Sequence, residues 1–122
     1  MSITLVSETA TLDLKAMLAR VGGDEDLLRE IASIFLDEYP VLLQEIREAV
    51  QNSDGSQLER AAHSLKGSVS NFEAADAVRA AQALENLGRA ARMSEAPRAL
   101  LFLESRFAAL EPALQAIVAG EI

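Results

Sequence analysis

The segment Leu58-Glu59-Arg60-Ala61-Ala62-His63-Ser64-Leu65-Lys66-Gly67-Ser68-Val69-Ser70-Asn71-Phe72 carries two patterns at once. At about 100° per residue, Leu58, Ala61, Ala62, Leu65, Val69 and Phe72 gather into one apolar stripe, the spacing of a helix with one buried face. His63, the only histidine in the chain, falls roughly 150° from the centre of that stripe on the same geometry. It is therefore expected to face solvent, with Lys66 and Gly67 one turn further on beside it. A mid-helix Gly costs about 1 kcal/mol relative to Ala. The apolar repeat nevertheless runs past Gly67 to Val69 and Phe72, so the helix is expected to continue through it. A surface bare of side chain lets another protein's backbone come close, and Lys66 supplies a point charge for an anion carried on the imidazole. Spacing alone leaves the alternative open, since exposed His and Lys are commonly no more than solvated surface.

The helical period extends in both directions from this segment. With Thr11 or Asp13 as N-cap, Leu14, Met17 and Leu18 make a short helix ending at Gly22-Gly23. Asp24 caps a longer one, in which Leu28, Ile31, Phe35, Tyr39, Leu42, Ile46 and Ala49 keep a spacing of three or four through Pro40. Pro40 falls on the opposite face, which predicts one kinked helix over about 25–51. Asn52-Ser53-Asp54-Gly55 is a turn by residue type, and Ser56-Gln57-Leu58-Glu59 reads as a capping box with Asp54 as a competing N-cap. The histidine helix then runs to about Phe72. A fourth helix over about 76–92 buries Val78, Ala81, Leu84 and Leu87, and its many alanines allow a close neighbour. Ser94 caps the last helix, whose seam is Leu100, Leu103, Phe107, Leu110, Leu114 and Ile117, ending near Gly120. Pro97 fits its first turn, and Pro112 is expected to kink or end it. No strand pattern and no internal repeat appears. The expectation is an all-α fold, an antiparallel up-and-down four-helix bundle with a short extra N-terminal helix. Residues 1–10 form a lead-in, and 11–122 a single domain.

Composition excludes several classes of function. The 122 residues suffice for one core, and half of them are hydrophobic with only 4% aromatic, a mix that favours helices. A formal net charge of −8 speaks against a nucleic-acid-binding face and against an anionic membrane surface. Without cysteine there is no disulfide, thiol nucleophile or thiolate metal site. No apolar stretch approaches a membrane span of about 18 residues, and no signal segment opens the chain. A soluble, cytoplasmic protein is expected. A di-metal bundle needs paired Glu-x-x-His motifs, whereas His63 has Glu59 four residues before it and no second histidine exists, so no metal site is expected. There is no G-x-S-x-G elbow, P-loop or kinase glycine loop, so the chain is not expected to take phosphate from ATP by itself.

The run His63-Ser64-Leu65-Lys66-Gly67-Ser68, followed by Asn71-Phe72, Ala74 and Leu84-Glu85, closely resembles the H-x-L-K-G signature of histidine-containing phosphotransfer (HPt) domains. Asp13-Leu14, Gly22-Gly23-Asp24, Phe35-Leu36, Pro40 and Asp54 also sit where HPt domains carry similar residues, so the resemblance spans roughly residues 13–118. One position departs. Family members usually have Gly where this chain has Glu73, which implies that the turn is built differently or that the histidine helix runs on.

The resemblance implies a phosphorelay intermediate, a carrier without autokinase activity that accepts a phosphoryl group on His63 from a receiver-domain aspartate and passes it to another receiver. The partners would be the receivers of a hybrid sensor kinase and a response regulator. The receiver would bring the Mg²⁺, and no cofactor is expected on this chain. A neutral imidazole, with a reference pKa of about 6.5, has a free ring nitrogen for the purpose. Nε2 is the phosphorylated nitrogen by resemblance. Phosphoryl transfer tends to a loose transition state, so positioning and charge neutralisation supply most of the rate. Lys66 would neutralise phosphoryl oxygens and Gly67 would leave room for the partner's loop. Ser56, Glu59, Arg60, Ser64, Ser70 and Asn71 share the exposed side with His63 and form the expected partner surface, and Glu85 is a possible support for the ring. Two other readings stay open: a non-phosphorylated helical bundle that only binds partners, and the phosphoacceptor domain of a chemotaxis-type histidine kinase. A monomer is expected, since one bundle consumes the apolar faces.

Overall fold

The computed structural model describes residues 13–121, and over them the chain is helical throughout. The lead-in over 1–10 and the candidate cap Thr11 lie outside the described residues. In chain order the helices are α1 (Leu14–Arg20), α2 (Glu25–Gln51), α3 (Gly55–Val69), α4 (Ala75–Arg89) and α5 (Ala96–Val118). Short 3₁₀ turns at Ser70–Phe72 and Met93–Glu95 precede α4 and α5. Cross-helix pairs give the directions. Glu59 meets Arg89, His63 meets Glu85 and Lys66 meets Gln82, so α3 ascends as α4 descends. Tyr39 stacks on Phe107 while Arg47 pairs with Glu104, which sets α2 and α5 antiparallel in the same way. With α2 also against α3, and α4 against α5, the four long helices close an up-and-down bundle, and α1 packs on α2 and the turn after α3.

Leu58, Ala61, Ala62, Leu65, Val69 and Phe72 are all buried, so the α3 stripe is the one its period predicts. Four of the five aromatic side chains pack together: Phe35 lies 5.3 Å from Phe72 and 6.0 Å from Phe107, and Tyr39 stacks 4.8 Å from Phe107. These contacts anchor the C-terminal end of α3 to α2 and α5. Helix α2 runs unbroken through Pro40, which is exposed and therefore keeps its ring off the core. Pro112 does not end α5, which continues to Val118.

Helix ends depart from expectation in two places. Asp54 wins the start of α3, its carboxylate accepting from the Gln57 amide at 3.0 Å, and the Ser56–Glu59 box does not form because Glu59 is engaged by Arg89. Ser94 caps nothing. The Met93–Glu95 turn leads into α5, the Ala96 amide is satisfied by the Met93 carbonyl, and Pro97 brings no donor, so little is left for a side chain to cap. Helix α4 also stops earlier than predicted, at Arg89, with Ala91 left-handed at φ 56° and the Arg92 amide reaching back to the Leu87 carbonyl. After Phe72 the histidine helix does not run on. Glu73 takes the left-handed conformation at φ 55° that a glycine would adopt freely, and its carboxylate pairs with Arg20 of α1 at 2.6 Å.

Candidate functional site

Helix α3 places His63 outside the bundle with its side chain 67% exposed, and α4 places Glu85 directly behind it, 4% exposed. Glu85 is the one buried charged side chain among the described residues. Its Oε2 lies 3.0 Å from His63 Nδ1 and accepts from Arg89 at 2.8 Å. Its Oε1 accepts no well-aligned hydrogen bond, and the Lys66 ammonium 2.8 Å away compensates it as an ion pair. Lys66, against the opposing effect of burial and with help from His63, holds the Glu85 carboxyl below its usual range. An ionised carboxylate only accepts, so Nδ1 is the donor, and in the neutral ring Nε2 is left with the lone pair.

The sequence reading named Glu85 but missed the rest of this α4 face. Gln82, Glu85, Asn86 and Arg89 recur at spacings of three and four. Gln82 accepts from Lys66 at 2.8 Å and donates to Asn86 at 2.8 Å, which fixes the amide's orientation. Arg89 bridges Glu85 to Glu59, whose Oε2 accepts from Arg89 Nε at 2.9 Å. The spacing was the available signal. What it lacked was the register of α3 against α4.

That register is set by two glycines. A Cβ on Gly88 would lie 2.6 Å from the Gly55 carbonyl oxygen and 2.7 Å from the Glu59 amide nitrogen, and a Cβ on Gly55 would lie 2.7 Å from the Gly88 carbonyl oxygen. The backbones touch at the N-terminal end of α3, which draws α4 close enough for a carboxylate to reach the ring.

Gly67 is different, because a Cβ there would meet nothing within 4 Å. Packing gives no reason for its missing side chain. Gly67→Ala is therefore expected to stabilise the fold by about 1 kcal/mol, the helix-propensity difference, as urea denaturation would show, while slowing any reaction that needs a partner's backbone against this surface.

The expected partner-surface residues divide around the ring. Glu59 turns toward α4 and Arg89. Arg60 and Ser64 line a groove toward α2 with Glu45, Glu48, Asp54 and Gln57. Ser56 is exposed nearby on the first turn of α3. Ser70 and Asn71 donate to the carbonyls of Gly67 and Ser68 at 2.8 and 3.2 Å, so they finish the end of α3 as well as flanking its exposed side. No helix among the described residues is long and apolar enough to cross a membrane.

The four-helix bundle thus presents one exposed imidazole, held at its inner nitrogen by a carboxylate that Lys66 and Arg89 also contact. The Hpt domain family model matches residues 30–119, and the chain belongs to that family. Its fold is similar to the crystal structure of histidine-containing phosphotransfer protein B (HptB) from Pseudomonas aeruginosa PAO1, with a TM-score of 0.78 at 25% identity over 85% of this chain and 90% of that one. Among curated proteins none matches by sequence. Family and fold together support a histidine phosphotransfer role in phosphorelay.

Proposed function

We propose that His63 is the phosphoacceptor and that it shuttles a phosphoryl group between receiver domains, from that of a hybrid sensor kinase to that of a response regulator. The observation that carries the reading is the Nδ1–Glu85 contact at 3.0 Å, which makes Nε2 the nitrogen with the lone pair when the ring is neutral, on a side chain that faces solvent. The Nε2 lone pair attacks the phosphorus of the receiver's aspartyl phosphate. The P–N bond forms as the P–O bond breaks, and the aspartate leaves with the electron pair. The ring keeps its Nδ1 proton and becomes cationic, facing the Glu85 carboxylate, so no general base is needed.

Lys66 donates one N–H to Gln82 and pairs with Glu85 by charge, and a remaining N–H meets a phosphoryl oxygen. Gly67 admits the partner's loop, while Ser56, Arg60, Ser64, Ser70 and Asn71 form the rim of the contact. Mg²⁺ belongs to the receiver in this scheme. The chain acts as a carrier with no autokinase activity, a cytoplasmic monomer whose contact stays small, on the order of 1,200 Å² or less, because it must release.

The test is phosphate transfer from a phosphorylated receiver domain to the wild type and to His63→Gln, with acid and alkali treatment of the product. Label on the wild type alone, lost in acid and kept in alkali, is the expected result. No label from any of several receivers, with folding confirmed, would leave a bundle that only binds.

A further inference from the structure

Two cations meet the Glu85 carboxylate behind the His63 ring, and in the resting protein both are engaged. Lys66 is held by Glu85 and Gln82, and Arg89 by Glu85 and Glu59. The charges of Lys66, Arg89, Glu59 and Glu85 cancel. A phosphoryl group on Nε2 adds about two negative charges, and the ring contributes one positive charge while it keeps its Nδ1 proton. The charged site is then left one negative charge in excess unless a carboxylate is displaced.

Exposure decides which one. The Lys66–Glu85 pair has side chains 25% and 4% exposed, so breaking it strands a buried carboxylate. The Arg89–Glu59 pair is 57% and 36% exposed, and surface pairs of this kind contribute only about 0–1 kcal/mol. A phosphoryl group, with about two negative charges spread over three oxygens and presented to a guanidinium fork, is the stronger acceptor. Arg89 is also placed to turn without leaving the site, since its other nitrogen rests on Glu85 Oε2, the oxygen that holds His63 Nδ1. Arg60 is not so placed, because it lines the groove on the α2 side with Glu45 and Glu48.

We propose that Arg89 is a second phosphoryl-binding cation of the charged protein, kept off the ring by Glu59 until His63 is phosphorylated. The proposal rests on His63 being the phosphoacceptor. Glu59 is then a holding residue whose loss favours the phosphorylated state, and Arg89 one whose loss disfavours it. No structural role common to both predicts opposite signs.

The experiment charges a receiver domain with acetyl phosphate, removes the excess, and measures the equilibrium ratio of phosphorylated protein to phosphorylated receiver for wild type, Arg89→Gln, Glu59→Gln and the double variant. Thermal melts check that each is folded. Arg89→Gln is expected to lower the ratio about five- to tenfold, Glu59→Gln to raise it about threefold, and the double variant to match Arg89→Gln alone. Both single variants falling together, or neither changing, overturns the proposal while leaving the phosphoacceptor reading intact. Failure of the wild type to take label from any receiver overturns both.

Discussion

Gly88→Ala is expected to cost about 3 kcal/mol of stability, the upper range for forcing atoms into a packed interface, and to lower the melting temperature by roughly 10 °C. The size follows from what the added methyl meets. Both close atoms, the Gly55 carbonyl oxygen at 2.6 Å and the Glu59 amide nitrogen at 2.7 Å, are backbone, so no rotamer change relieves the clash and α4 must move as a body. Moving α4 also withdraws Glu85 from His63 and Lys66, so phosphoryl transfer should slow even at temperatures where the variant is folded. Calorimetry and a transfer assay on one preparation check both halves. Gly67→Ala is the internal control: the same substitution, in open space, is expected to stabilise. If Gly88→Ala melts like the wild type, the helices are not held at this spacing by the glycine pair.

The contrast between these two glycines shows where sequence reading stops. Gly67 stood out because it lies mid-helix, on the exposed side of an apolar period that continues beyond it. Gly88 gives no comparable signal, since its partner Gly55 lies on another helix and neither helix's own period encodes the meeting. The α3 and α5 stripes were legible for the reason that large apolar side chains mark them: Leu58, Leu65 and Val69 on one, Leu103, Phe107, Leu110 and Leu114 on the other, all buried. On α4 the same weighting misleads. Val78 and Leu87 are only half-buried, whereas Ala77, Ala80 and Gly88 are fully buried, because the closest approach admits small residues and pushes large ones to its margins. Caps were ambiguous wherever two acceptors competed, and tertiary demand decided: Glu59 is taken by Arg89, which leaves Asp54 to start α3. The position of His63 was readable from helical geometry. Its tautomer was not, because that depends on a carboxylate from another helix.

Glu85→Gln is the sharpest test of that carboxylate. The amide can present either its oxygen or its NH₂ to Nδ1. Where the NH₂ faces the ring, the imidazole proton moves to Nε2 and the nucleophile is lost. Even in the productive orientation a neutral amide stabilises the cationic ring of the charged intermediate less than a carboxylate does. Transfer to His63 is expected to slow tenfold or more, which corresponds to about 1.4 kcal/mol or more of barrier, with the fold retained because Gln keeps the shape of the side chain it replaces. Stability should respond to pH in a defined sense. The folded-state pKa of Glu85 is lowered, chiefly by the Lys66 ammonium. Its contribution is therefore present above the unfolded carboxyl value of about 4.3 and is lost as pH falls through the lower folded value. The stability difference between wild type and Glu85→Gln, measured by urea denaturation, should be largest near neutral pH and shrink below about pH 4. A transfer rate equal to the wild type's would show that the ring finds its tautomer without Glu85. A stability difference independent of pH would show that the carboxylate's charge is not what Lys66 and Arg89 hold.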